Sequence, residues 1–169
     1  GEVSKKLSEY GVNIMGIHLD RKGTMQNVEE IIQHIEKNGS KAKFYNINAA
    51  DELKRKDCLD EIHELIGMDD KKIKILLHSL AFGSLKPYVS NDPLQNVTQK
   101  NMEMTLDVMA NSLVYWTQDV YSRGLFSKNA RIYAMSSAGS RKIWPTYGPV
   151  SAAKSALESH IRQIAVELA

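Results

Sequence analysis

Apolar residues along this chain come in two alternating kinds of run, short unbroken ones and longer ones spaced at helical intervals. A helical stretch from Glu2 to Tyr10 is stopped by Gly11, and Val12 to Leu19 then reads as a buried strand. Val28, Ile31, Ile32 and Ile35 recur at helical spacing within Gln26 to Lys37, where Asn38-Gly39 ends the pattern. Ala42 to Ile47 predicts a short strand. Asp51 to Leu65 predicts a one-sided helix carrying Leu53, Leu59, Ile62 and Leu65, with Asp51 as N-cap. Ile73 to His78 is the most strongly marked strand and runs into Ser79 to Gly83. A loop with Pro87, Asn91 and Pro93 leads to a long helix from Gln99 to Ser122. Ala130 to Ser136 predicts the last strand, and a final helix begins near Pro149.

Strict alternation of helices with near-continuous apolar strands indicates a parallel sheet covered on both faces, an α/β doubly wound, Rossmann-like fold. Its crossovers are expected to be right-handed. Ligands in such folds bind beyond the carboxyl ends of the strands. Three groups fall there: His18-Leu19-Asp20-Arg21, His78 to Gly83, and Ser136-Ser137. The fold alone does not name a function.

The size of 169 residues suits one domain. At 43% hydrophobic and 25% charged residues the composition is that of an ordinary globular protein. A net charge of +2, without a basic run, argues against nucleic-acid binding. Lone Cys58 excludes an internal disulfide, fits a reducing compartment, and makes no metal site. His34, His63 and His160 lie on predicted helices without paired ligands, so no metal is expected. No apolar run reaches transmembrane length and there is no signal-peptide pattern. The expectation is a cytoplasmic protein without membrane contact.

Tyr147 stands seven residues before Lys154. At about 3.6 residues per turn that spacing brings a phenol and an ammonium to one helix face. A nearby lysine stabilises phenolate, so the tyrosine can share its proton closer to neutrality. Such a pair arises readily by chance in a chain with this many tyrosines and lysines. Its setting gives it weight: an apolar strand, a Ser136-Ser137-Ala138-Gly139 turn, Pro145 and Pro149, then small residues along a helix.

These residues resemble a short-chain dehydrogenase/reductase, and most closely an enoyl-acyl-carrier-protein reductase. Leu77-His78-Ser79-Leu80-Ala81-Phe82 is similar to the His-Ser-Ile-Gly-Phe segment of those reductases. Ser136 to Gly139 through Pro145-Thr146-Tyr147 aligns without a gap to their Ser-Tyr-Leu-Gly…Pro-Asn-Tyr segment. Tyr147-x6-Lys154 has their spacing, whereas most of the superfamily uses Tyr-x3-Lys, and that tyrosine position here is Val150. The order of elements fits from end to end.

The resemblance implies a single dinucleotide-binding reductase domain over 1–169, truncated at both ends. Gly1 would be the last glycine of a phosphate-binding loop. The first strand, most of that loop and everything after the Tyr147 helix would be absent. In a 3-2-1-4-5 strand order the absent strand is central, leaving two half-sheets about 9–10 Å apart. Such a chain is not expected to fold by itself.

By the same resemblance, Lys154 holds the nicotinamide ribose and Tyr147 hydrogen-bonds the thioester carbonyl while hydride reaches the β-carbon of an enoyl thioester in fatty-acid synthesis. Catalytic residues are then Tyr147, Lys154 and Ser137. Cofactor contacts are implied for Gly1, His18, Arg21, Asn48, Ala49, Ser79, Leu80, Ala81, Ser136 and Lys154, and substrate contacts for Ala81, Phe82 and Tyr147. His78 reads as structural. Ser137 reads equally as a second donor to the substrate oxygen and as a strand end satisfying its own backbone. Phe82 reads equally as a wall of the acyl site and as plain core. The acidic position expected after the second strand is His18, with Arg21-Lys22 following. That tilts the cofactor toward NADPH over NADH. Arg141 and Lys142 could meet an acyl-carrier protein, or be a solvated pair.

One departure divides the reading. Where the reductases carry a second tyrosine, ten residues before the first, this chain has Ser137, as carbonyl-reducing members do. The asparagine of those members would fall near Met109, which cannot replace it. An enoyl-thioester reductase leads. A carbonyl reductase for a ketoacyl, steroid or similar substrate is the alternative, and a non-catalytic nucleotide-binding sensor is a remote one. The substrate would be an acyl-carrier-protein or CoA thioester. Surplus apolar stripes on the long helix and the Tyr147 helix, together with the resemblance, predict a homo-oligomer, a tetramer.

Overall fold

The computed structural model describes residues 1–67 and 72–169. It is an α/β structure whose strands pair in parallel, in two two-stranded sheets. The chain forms two compact units, Gly1–Cys58 and Leu59–Ala169.

In the first unit, α1 (Glu2–Ser8), β1 (Ile14–His18), α2 (Met25–Lys37) and β2 (Ala42–Asn46) follow one another. β1 pairs with β2 from Ile14 opposite Ala42 to His18 opposite Asn46. α2 buries Val28 and Ile35, two turns apart on one stripe. Gly39, at φ 79°, lets the chain reverse after α2. Gly16 admits the Phe44 ring, which would lie 2.4 Å from a Cβ at that position. α3 (Glu52–Gly67) buries Cys58, Leu59, Ile62 and Ile66. Leu53 and Leu65, expected on that face, are exposed. Asp51 Oδ1 accepts the Lys54 N–H at 3.0 Å, the capping role expected of it.

In the second unit, β3 (Ile73–His78) pairs with β4 (Phe126–Ala134). β4 starts before the expected Ala130, through a Ser-Lys-Asn stretch that reads as a turn. The register shifts there: Ile73 faces Phe126 but Ile75 faces Arg131, with Asn129 at φ 61°. Pairing to β3 overrides the local turn preference, and a bulge absorbs the extra residues.

The expected single helix from Gln99 to Ser122 is interrupted. It consists of α4 (Gln99–Leu106), a π-helical turn (Asp107–Asn111) and α5 (Ser112–Ser122). Thr98 and Asn101 close a capping box at its start. The wider turn advances the buried stripe, so Val108, Met109 and Ala110 are all buried in succession. Ala110 and Leu113 join Leu157 and Ile164 of α6 (Gly148–Glu167) in one core cluster, with Leu76, Val114 and Ile132 packed against it. Met109, Val150 and Ala153 form a second cluster, flanked by Leu106 and Tyr147. Most of the stripes expected to remain exposed on the long helix are thus at least half covered. The large apolar side chains left exposed on α5 and just past α6 or on it are Tyr121, Val166 and Leu168. Among the described residues, no helix is long and apolar enough to cross a membrane.

Candidate active site

Each of the three groups singled out in the sequence sits just past a strand's carboxyl end: β1 stops at His18, β3 at His78 and β4 at Ala134. In the second unit the loops after β3 and β4 are joined through Lys154. Its Nζ donates to the Leu80 carbonyl at 3.1 Å and to the Met135 carbonyl at 2.8 Å. The residue is only 5% exposed, and burial lowers its pKa below the ordinary lysine value. An ammonium has three protons, so one remains uncommitted.

Tyr147 is the N-cap of α6, with Pro149 in the first turn. Its Oη lies 3.3 Å from Ser137 Oγ, which accepts the Gly139 N–H at 3.1 Å. The serine proton is therefore free to point at the phenol oxygen. Trp144 meets the Tyr147 ring edge-on, with centroids 5.3 Å apart. Gly139 lies beneath the same ring: a Cβ there would come within 2.1 Å of Tyr147 Cε1 and 3.0 Å of Trp144 Cζ3. Thr146, immediately before the tyrosine, has φ 62°. A β-branched residue in that region is strained, and the strain sits next to the phenol. Val150, at the tyrosine position of the Tyr-x3-Lys pattern, is 6% exposed and packed against Met109 and Ala153.

His78 is buried, with Nε2 2.9 Å from Ser112 Oγ. Ser112 donates its one proton to the Val108 carbonyl at 2.8 Å, so the imidazole must be the donor to the serine. Burial chiefly, and then the Lys154 charge, push its pKa down to about 4. A neutral, enclosed imidazole holding the π turn is what remains.

The other predicted contacts of this unit are less organised. Ser79, Ala81 and Phe82 are exposed and Leu80 is half-buried. Phe82, 60% exposed, is not core. The Ser136 hydroxyl is engaged with the Glu158 carboxylate. Asn111, two residues past Met109, meets His160 Nε2 at 3.2 Å.

In the first unit, His18 Nδ1 lies 2.9 Å from Asp20 Oδ2. The Asp20 carboxyl is held below its usual pKa by hydrogen bonds from Thr24 and then His18. An acid therefore does stand against the His18 ring at the end of β1, two residues beyond the position where the sequence placed it. The Arg21 guanidinium follows, exposed. Asn48 Oδ1 accepts the Ala50 N–H at 3.0 Å, leaving its NH₂ as a donor, and Ala49 is buried. Gly1 precedes α1 and its carbonyl accepts the Lys5 N–H at 3.0 Å.

Residues 1–169 match the family described as Enoyl-(Acyl carrier protein) reductase over their whole length. The chain belongs to that family. It is a branch of the short-chain dehydrogenase/reductases. A curated relative, the enoyl-[acyl-carrier-protein] reductase [NADH] FabI of Buchnera aphidicola, is 32% identical over 89 residues, 53% of this chain and 33% of that protein. Among solved structures, an enoyl-(acyl-carrier-protein) reductase from Anaplasma phagocytophilum in complex with NAD superposes with a TM-score of 0.76. It is 19% identical, over 98% of this chain and 59% of that one. A short-chain dehydrogenase from Burkholderia cenocepacia in complex with NADP gives 0.80 at 19% identity, over 98% and 62%. A 3-oxoacyl-[acyl-carrier protein] reductase from Brucella melitensis gives 0.78 at 18%, over 98% and 63%. At these identities the structures establish the fold. The chain spans a third of the curated relative and about three-fifths of the solved ones.

Within this member of the enoyl reductase family, sequence reading missed Gly139, Trp144 and Glu158. Glu158 stands one helical turn beyond Lys154, a spacing that puts it on the same face. That signal was available. Nothing local marks Gly139 as the floor under a ring eight residues on.

Proposed function

We propose that this chain carries the site for NAD(P)H-dependent reduction of the 2,3-double bond of an enoyl thioester. The single observation that supports this most is the pair of positions around Val150. The phenol stands seven residues before Lys154, while the position four residues before it, where most of the superfamily has its tyrosine, is filled by a buried valine.

Each unit carries donors of a kind that a dinucleotide takes. Lys154 keeps one proton free at the carboxyl ends of β3 and β4, suited to ribose hydroxyls. Arg21 suits a 2′-phosphate and Asp20 a free 2′-hydroxyl, so the two residues pull cofactor choice in opposite directions. We favour NADPH, because His18 already engages Asp20. When bound, the nicotinamide would supply the hydride for the β-carbon, and the resulting enolate would take a proton at the α-carbon to complete the reduction.

This chain's own groups act on the carbonyl end. Tyr147 Oη donates a hydrogen bond to the thioester carbonyl, and that bond strengthens as charge develops on the enolate oxygen. Ser137 Oγ, 3.3 Å away, serves as a second donor to the phenol or to the same oxygen. Lys154, held by the Leu80 and Met135 carbonyls, is assigned to the cofactor. Exposed Phe82 lies on the loop after β3 and is assigned to the acyl group.

The Ser137–Tyr147 contact also favours a second reading, reduction of a ketoacyl or similar carbonyl, where serine and tyrosine share one substrate oxygen. Buried Met109 and the engagement of Asn111 by His160 count against it. The deciding assay offers the intact protein a crotonyl and an acetoacetyl thioester, each with NADH and NADPH. The proposal requires turnover of the crotonyl thioester, and turnover of acetoacetyl alone would transfer the site to carbonyl chemistry. Tyr147→Phe should lower kcat at least tenfold, on the order of 1.4 kcal/mol in the barrier, with cofactor affinity nearly unchanged. A fully active phenylalanine variant would sink the mechanism.

A further inference from the structure

One carboxylate gathers the hydroxyls that frame the tyrosine. Glu158 Oε1 accepts from Ser136 Oγ and, at 2.8 Å, from Ser140 Oγ. Ser140 Oγ also lies 2.9 Å from the Ser137 carbonyl, and the Ser140 carbonyl accepts from Ser155 Oγ at 3.2 Å. The short turn Ala138–Ser140 is therefore tied to α6 on both sides. Ser137 stands between the two tied serines, and its Oγ faces Tyr147 Oη. The hydroxyls of Ser136 and Ser140 hold the Glu158 carboxyl below the usual carboxylate range, so the anchor is an anion at neutral pH.

We propose that Glu158 is a positioning residue: by anchoring Ser136 and Ser140 it fixes Ser137 Oγ against Tyr147 Oη and so sets the donor geometry of the phenol. The inference rests on the reading of Tyr147 as the group that polarises the substrate. Glu158 itself touches neither phenol nor lysine. Its effect travels through two serine hydroxyls that have one proton each, and both point at its Oε1 when they are not otherwise spent. Serine at 136 or 140 without the carboxylate would have only solvent or the Ser137 carbonyl to bind. The turn could then shift by the few tenths of an ångström that separate a 3.3 Å contact from none. Gln at 158 keeps an acceptor oxygen at the same reach and should preserve most of the anchoring.

The test compares intact wild-type protein with Glu158→Ala, Glu158→Gln, Ser137→Ala, the Glu158→Ala/Ser137→Ala pair, and Ser136→Ala/Ser140→Ala. Two readouts are taken. The first is kcat and KM with the preferred thioester. The second is the Tyr147 phenol pKa from ¹³Cζ-tyrosine NMR, with the resonance assigned through Tyr147→Phe. We expect Glu158→Ala to lower kcat on the order of tenfold with cofactor KM within about twofold, and to raise the phenol pKa as Ser137 leaves the phenolate oxygen. Glu158→Gln should stay near wild type. Ser136→Ala/Ser140→Ala should reproduce Glu158→Ala, and in the Ser137→Ala background Glu158→Ala should add nothing further. An unshifted phenol pKa in Glu158→Ala would overturn the proposal. So would an undiminished loss of kcat on adding Glu158→Ala to Ser137→Ala. If Glu158→Ala does not fold, the double serine variant decides the same question by the same two readouts. A wild-type protein inactive on both thioesters would count against the proposed reaction, and the phenol pKa would still decide the role of Glu158.

Discussion

A methyl group at Gly139 cannot be accommodated without moving the Tyr147 ring, because its carbon would stand 2.1 Å from Cε1 and 2.8 Å from Cδ1. Trp144 stands edge-on to the same ring and would itself lie 3.0 Å from that carbon. Gly139→Ala should therefore displace the phenol from Ser137 and cut kcat by about tenfold or more, since an ångström of misplacement costs as much as about 10²-fold. Thermal unfolding of the same variant should fall only by the ordinary overpacking cost of about 1–3 kcal/mol. Unchanged kcat in a folded alanine variant would show that the ring has somewhere else to go. At this scale the sequence was informative about chemistry and silent about support. Tyr147 and Lys154 stand out because phenol and ammonium carry their function in their residue types and spacing. Gly139 and Glu158 act through distances between segments, and no local pattern encodes those.

Among elements, the interrupted helix carries the clearest pH consequence. His78 is held neutral, with its pKa near 4 against 6.5 unperturbed, and the Nε2–H donates to Ser112 at the end of the π turn. The unfolded chain takes up the proton first as pH falls, so the stability is fully present above about 6.5 and is lost progressively toward 4. The loss amounts to about 3 kcal/mol, taking about 1.36 kcal/mol per unit of pKa. Urea denaturation of the intact protein between about pH 7 and 4.5 should show this decline, and His78→Asn should flatten it. Separately, Ser112→Ala strands a buried imidazole N–H and should cost about 1–3 kcal/mol at neutral pH. A serine replacement with no effect would mean that another acceptor takes over. The hydrophobic pattern predicted the elements because each buries one face, and period alone reports that. It missed the π turn because one extra residue in a helix leaves the composition unchanged. It also started β4 late, since Ser127-Lys128-Asn129 reads as a turn until β3 is there to pair with it.

For the whole molecule, the parallel pairing and the position of the three singled-out groups at strand ends were legible, because alternation of helix and strand leaves few topologies. Assembly was less so. On the long helix, whose surplus apolar stripes suggested an interface, Val114 packs against the chain's own core, and Tyr115 hydrogen-bonds Asp107 at 3.0 Å. The homo-oligomer is a proposal that now leans on Tyr121, Val166 and Leu168, the apolar side chains that stay exposed on or beside the last two helices. Light scattering of the intact protein at micromolar concentration should give a multiple of the protomer mass, a tetramer by family resemblance. Val166→Glu should reduce that mass, whereas a monomeric wild type would refute the proposal.

The burial of Val150 bears on descent as well as on chemistry. Moving the phenol from the seven-residue to the four-residue spacing requires a ring where a buried valine now packs with Met109 and Ala153, and a close-packed interior resists added volume. Either intermediate is handicapped: the tyrosine arriving first is overpacked, and the old one leaving first removes the group proposed to polarise the substrate. A lineage can pass between the two arrangements only by reshaping Met109 and Val150 together, so the spacing should behave as an inherited marker of the branch and change far more rarely than the substrates its members accept.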